Sequence, residues 1–132
     1  MKTIVWMLLA GLVLPMAGCS GNAALNGKWL GSVTEKGKST QVSLVLRTQG
    51  DNVAGTFTIL EGTGDTATGT SFTIVNARCS NSKLEFIVPI SGRLDADAVF
   101  FELLVKNRRL EGIGRKMRQG SSNLPAVFVK QK

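Results

Sequence analysis

The chain predicts an all-β fold, a single small eight-stranded antiparallel up-and-down barrel over residues 27–132, behind a cleaved export signal. Three observations carry this expectation. Apolar residues recur with period two through most of the chain, the side-chain period of a half-buried strand. Turn-forming pairs interrupt these runs at short, even spacing: Gly50-Asp51-Asn52, Asn81-Ser82, Ser91-Gly92 and Gln119-Gly120-Ser121-Ser122. Beyond residue 18, no window carries a helical stripe.

Taken in order, strands are expected near 28–35, 39–49, 53–60, 69–78, 83–90, 96–106, 109–118 and 124–131. Val42, Leu44 and Leu46 alternate with Ser43, Val45 and Arg47. Val53, Gly55, Phe57 and Ile59 share one parity, as do Leu84, Phe86, Val88 and Ile90, and Leu124, Ala126 and Phe128. Pro89 and Pro125 lack a ladder donor and belong at strand ends or bulges. Short strands at this spacing suit a barrel or a sandwich, and closure is favoured because it removes exposed edges. The strand at Ala98–Val105 reads AVFFELLV, apolar on both faces. One face fills the core; the other, with Phe100, Leu104 and Ala98, is a candidate interaction face.

The first residues have the three-part plan of a secretory signal. Lys2 supplies the positive region, Ile4–Pro15 an uncharged apolar run, and Ala17-Gly18 the small residues. A spanning helix needs about 20 apolar residues, so the run is too short to remain in the membrane. Met16-Ala17-Gly18-Cys19 resembles the bacterial lipobox, with Met16 where Leu is usual. The resemblance implies removal of residues 1–18, lipidation of Cys19, a flexible tether over 19–26, and attachment to the envelope membrane through N-terminal acyl chains. Two or three chains on one cysteine give lasting attachment, whereas one chain binds marginally. Ser20, where Asp signals inner-membrane retention, resembles a signal for the periplasmic face of the outer membrane in a Gram-negative host. The alternative is ordinary secretion, which leaves Cys19 free to bridge Cys79. A thioether on Cys19 excludes that bridge.

Several segments resemble a small calycin-like barrel module of bacterial exported proteins. Gly27-Lys28-Trp29-Leu30-Gly31-Ser32-Val33 resembles its opening G-x-W-x-G-x-L pattern, and Lys83-Leu84-Glu85-Phe86-Ile87-Val88-Pro89 one of its strands. Leu110-Glu111-Gly112 and Leu124-Pro125 resemble the openings of its last two strands. Gly114 departs from it, standing where Trp is usual. The resemblance implies the fold and no particular activity. Gly27-x-Trp29 also resembles the lipocalin first-strand motif, which implies that Trp29 closes the barrel floor against a basic side chain, here Arg115 or Arg118.

Composition excludes much chemistry. The 132-residue chain has no histidine and no tyrosine. Serine–histidine and cysteine–histidine systems and histidine-ligated zinc are therefore absent in their usual forms, and neither enzyme activity nor a metal or other cofactor is expected. Asp95 and Asp97 are spaced to share a face, but Gly92-Arg93-Leu94-Asp95-Ala96-Asp97 reads as a polar turn. Residues 61–69 are Gly-rich with no helix behind them, so they read as a loop between strands three and four, not a phosphate cradle. Lysine and arginine number 16 against nine acids, a formal charge of +7. Arg108, Arg109, Arg115, Lys116 and Arg118 form a candidate surface for an anionic partner. The export signal and the lack of interleaved aromatics argue against nucleic acid.

The expected function is a non-catalytic, lipid-anchored envelope protein that binds a small apolar or amphiphilic ligand or an anionic envelope component. The alternative is a protein-interaction module, an inhibitor or accessory subunit of an envelope complex. An eight-stranded barrel of 114 mature residues leaves room for at most one small ligand.

Overall fold

A computed structural model describes residues 25–49, 52–61, 68–118 and 122–131. The chain is all-β, an antiparallel barrel-like sheet that is nearly closed. Among the described residues it has nine strands, not eight: β1 (Gly27–Glu35), β2 (Lys38–Gln49), β3 (Asn52–Glu61), β4 (Thr68–Thr73), β5 (Val75–Ser80), β6 (Lys83–Val88), β7 (Val99–Lys106), β8 (Arg109–Lys116) and β9 (Asn123–Lys130). Their order is β4-β3-β2-β1-β9-β8-β7-β6-β5, so the first and last strands pair at the centre. Among the described residues no helix is long and apolar enough to cross a membrane.

The extra strand comes from a break inside the fourth expected one. Phe72 and Ile74 pack on the core, and so do Ala77 and Cys79. The inward parity therefore changes between residues 74 and 77. Asn76 absorbs the change with φ 53°, and the β5–β6 register slips between Val75 and Arg78. A β-bulge bends a strand in this way. β4 pairs with β3, and β5 pairs with β6. The two edges of the sheet are thus two halves of one kinked strand, joined at Ile74, whose N–H still donates to the Gly55 carbonyl at 3.1 Å.

The inward parity of the other strands follows the sequence pattern. Val42, Leu44, Leu46, Leu84, Phe86, Val88, Ala126 and Phe128 are buried. Phe101 stacks on Phe86 at 5.2 Å and lies 5.4 Å from Phe57, which meets Phe128 edge-on at 6.4 Å. Such pairs add about 0.5–1.5 kcal/mol each beyond the area they bury. Inward glycines let neighbouring strands approach closely, and Gly114 makes room for the Phe101 ring. A Cβ on Gly31 would run into the Val127 carbonyl, and one on Gly112 into the Glu102 carbonyl. Pro89 follows the end of β6. Pro125 pairs with Ile113 of β8, beyond the last β1 partner, Ala126, so no ladder bond is lost.

The two ends of the barrel differ. The 81–82 and 107–108 turns lie at one end with the start of β1. The β1–β2 turn, the β6–β7 connection and the end of β8 lie at the other. The first end is closed. Leu25 is 1% exposed, and its carbonyl accepts the Trp29 indole N–H at 3.0 Å. The Asn26 side-chain oxygen accepts from the Thr48 amide at 2.6 Å. Leu25 and Asn26, expected in the tether, belong to the barrel. Leu25 plugs the floor, and burying such a side chain is worth about 1.5–3 kcal/mol.

Candidate functional site

The open end holds a cavity of about 210 Å³. Phe57 and Phe101 form its base, Val42, Ile59, Val99 and Leu124 its walls, and Ile90 of the β6–β7 connection its lip. At the rim the Lys116 ammonium donates to Glu35 Oε2 at 3.1 Å. These two side chains end the inward rows Trp29, Gly31, Val33, Glu35 and Leu110, Gly112, Gly114, Lys116. The interior is therefore filled below the Phe57–Phe101 layer and open above it. An apolar cavity of about 150 Å³ stays dry and takes up benzene. This one has room for a ring or a short alkyl chain, with one charge pair where a polar head would lie.

The rim is held by the β6–β7 connection. The Ser91 hydroxyl donates to Asp95 Oδ2 at 2.7 Å, and the Asp97 amide donates to Asp95 Oδ1 at 3.0 Å. These bonds, the Ser91 one foremost, hold the Asp95 carboxyl below its usual range, with a smaller contribution from Arg93. Asp97 pairs with Arg118 at 2.7 Å. The two aspartates thus build a turn, as expected, and their carboxylates are occupied there. Among the described residues no group of His, Cys, Asp or Glu has the makings of a metal site.

The basic residues expected on one surface fall at two ends of β8. Arg108 and Arg109 lie at the closed end, where Arg109 and Lys106 both pair with Glu111. The Lys106 bond, then Arg109, holds the Glu111 carboxyl below its usual range. Arg115, Lys116 and Arg118 lie toward the mouth, paired with Glu102, Glu35 and Asp97. Arg115 is on the outer face and Lys116 on the inner one, because adjacent strand residues point to opposite faces.

Trp29 is buried at the closed end, where the lipocalin resemblance puts it, but its cation is Lys130, 5.8 Å from the ring centroid. Arg115 and Arg118 are at the wrong end of the barrel to reach it. The outer face of β7 is not a continuous apolar strip. Ala98 is fully buried, Phe100 is half-buried opposite Ile87, and Leu104 is 51% exposed. Between Phe100 and Leu104, Glu102 pairs with Lys83 at 3.4 Å and Arg115 at 2.7 Å.

Cys79, half-buried on β5, is disulfide-bonded. The sequence has one other cysteine, Cys19, which lies outside the described residues together with the segments expected as the signal and most of the tether. Residues 62–67 of the Gly-rich segment, read as a loop between strands three and four, also lie outside them; β3 ends and β4 begins at the mouth.

Glu35 was absent from the residues singled out by sequence. Its signal was there, since it continues the inward parity of Trp29, Gly31 and Val33 to the strand end. No family model matches this chain, and no curated protein matches it. The functional reading rests on the barrel and its mouth.

Proposed function

We propose that this chain is a non-catalytic, lipid-anchored envelope protein with a calycin-like up-and-down barrel. In this reading the barrel takes a small amphiphile into its mouth. The observation that carries it is the apolar cavity above Phe57 and Phe101 with the Glu35–Lys116 pair at its rim. A short alkyl or aryl group fills the cavity, and a polar head replaces one partner of the pair. The Met16–Cys19 lipobox resemblance supports anchoring through Cys19; the disulfide at Cys79, with Cys19 the one other cysteine of the sequence, opposes it. The first residues of the barrel lie at its closed end, so an anchored barrel holds its mouth away from the membrane that anchors it.

Native mass spectrometry of the chain recovered gently from its host tests ligand binding. A reproducible extra mass, released by organic solvent, supports it. A bare polypeptide mass that stays bare after incubation with short-chain fatty acids and alkylamines contradicts it.

The disulfide state of Cys79 favours a second reading for the N-terminus, a secreted barrel stapled through Cys19 and Cys79 with no lipid. The protein-interaction reading has less support, because the charged pairs of Glu102 interrupt the apolar face between Phe100 and Leu104.

A further inference from the structure

The closed end of the barrel carries a concavity of its own. It has a volume of about 430 Å³ and lies over Trp29, with Ser82, Lys106, Asn107, Arg108 and Lys130 around it. The described charges that line it are all positive. Among the described residues, Lys28, Lys106, Arg108, Arg109 and Lys130 surround this end, with Glu111 as the carboxylate among them. The mouth is mixed: Lys36, Lys38, Arg93, Lys116 and Arg118 stand among Glu35, Glu61, Asp95 and Asp97. Glu111 engages Lys106 and Arg109. No described carboxylate pairs with Arg108, whose guanidinium donates to the Lys130 carbonyl at 3.3 Å. Lys130 is held over the Trp29 ring. The Ser82 hydroxyl and Asn107 amide add neutral donors. Cations beside neutral donors on a concave surface suit a phosphate, an acceptor of several hydrogen bonds.

The chain enters the barrel at this same end. Cys19 precedes the buried Leu25 by six residues, and six extended residues span at most about 20 Å. A membrane that holds Cys19 therefore lies within about 20 Å of the basic end. Surface charges act over about 8 Å at physiological ionic strength, so a modest fold in the tether brings the two into contact. Leu30 and Val129, an exposed cross-strand pair beside Arg109, add apolar surface on the same flank.

We infer that the closed end docks on anionic phospholipid, with Lys106, Arg108 and Lys130 taking the headgroup phosphate over Trp29, so that the barrel stands on the membrane with its mouth outward. This goes beyond ligand binding in the mouth and rests on the anchored reading for the nearness of the membrane. A polybasic surface beside a lipid anchor strengthens attachment by about fivefold per cation.

The test reconstitutes the full chain, as its host processes it, into phosphatidylcholine vesicles with and without phosphatidylglycerol, carrying a headgroup spin label. Line broadening of amide resonances is expected at Ser82, Asn107 and Arg108, and not at Gly37 or Gly92 at the mouth. It should need phosphatidylglycerol and fade with salt. Arg108→Gly removes the cation while relieving a residue held at φ 29°, so the turn is not harmed. With Lys106→Gln it should weaken the contact about fivefold per cation. Broadening that is equal at both ends, or stronger at the mouth, overturns the proposal, as does broadening indifferent to phosphatidylglycerol. Intact mass of the same sample reports the state of Cys19. A lipid-free mass ends the anchored reading, and charge-dependent co-sedimentation of that unlipidated chain would still uphold docking.

Discussion

Lys116 of β8 reaches Glu35 of β1 across the mouth, at 3.1 Å between Nζ and Oε2, although β9 lies between their strands. The pair ties two strands that share no ladder, at the point where the interior stops being filled. Both side chains are partly exposed, so the pair contributes at most about 1 kcal/mol to stability. Its larger consequence is for what enters the mouth. Lys116→Gln should leave the thermal midpoint nearly unchanged and weaken hexanoate binding about fivefold. Glu35→Gln removes the carboxylate charge beside Lys116 and should strengthen it. Calorimetric titration reads both, and parallel changes for the two variants would show that the pair does not face the ligand.

Leu25 plugs the floor and accepts the Trp29 indole N–H. Leu25→Ala leaves a cavity beneath Trp29 and should cost about 2–5 kcal/mol. Urea unfolding measures it, and a loss below about 1 kcal/mol would place Leu25 outside the cooperative unit.

Gly112 faces inward against the Glu102 carbonyl, whereas Gly37 has open space around it and φ 80°. Gly37→Ala should cost about 1–2 kcal/mol for the left-handed backbone alone. Gly112→Ala must push two strands apart and should cost about 3 kcal/mol or more. Equal midpoints for the two variants would contradict the close β7–β8 approach.

Strand positions were legible in the sequence because one face of each strand is wet, which makes parity visible. The break at Ile74 was not, because a bulge costs one residue and Thr-Ile-Val-Asn-Ala carries no turn signal beyond Asn76. Trp29 could be placed at the floor, while its cation could not, since Lys130 reaches it only through β1–β9 pairing. The basic run looked like one surface because sequence nearness hides the length of β8. Six residues of strand separate Arg109 from Arg115, about 20 Å. Glu35 and Lys116 each end an inward row, but only the folded barrel brings them together.

Asp95 organises the lip of the mouth, and its carboxyl sits below its usual range because it accepts from Ser91 and the Asp97 amide. A depressed carboxyl contributes stability above its unfolded pKa, about 4, and loses it as pH falls through the lower folded value. Hydrogen exchange in residues 91–98, corrected for its intrinsic pH dependence, should lose protection as pH drops below about 4. Asp95→Asn should remove that dependence, and an unchanged profile would assign it to another group.

Cys19 and Cys79 offer one decisive mass. Lipidation of Cys19 adds acyl mass that reduction leaves in place, with Cys79 open to alkylation. A bridge between them adds no lipid, and two alkylatable thiols appear only after reduction. The anchored reading expects the first result, and the disulfide at Cys79 expects the second.

The central claim is an amphiphile in the mouth, and methyl-resolved NMR titration with hexanoate tests it most directly. Saturable shifts are expected at Val42, Ile59, Val99 and Leu124, with none at Leu46, Leu84 or Leu103 in the filled half. Saturable shifts confined to the filled half or the outer surface, or no saturable shift at all, would contradict it.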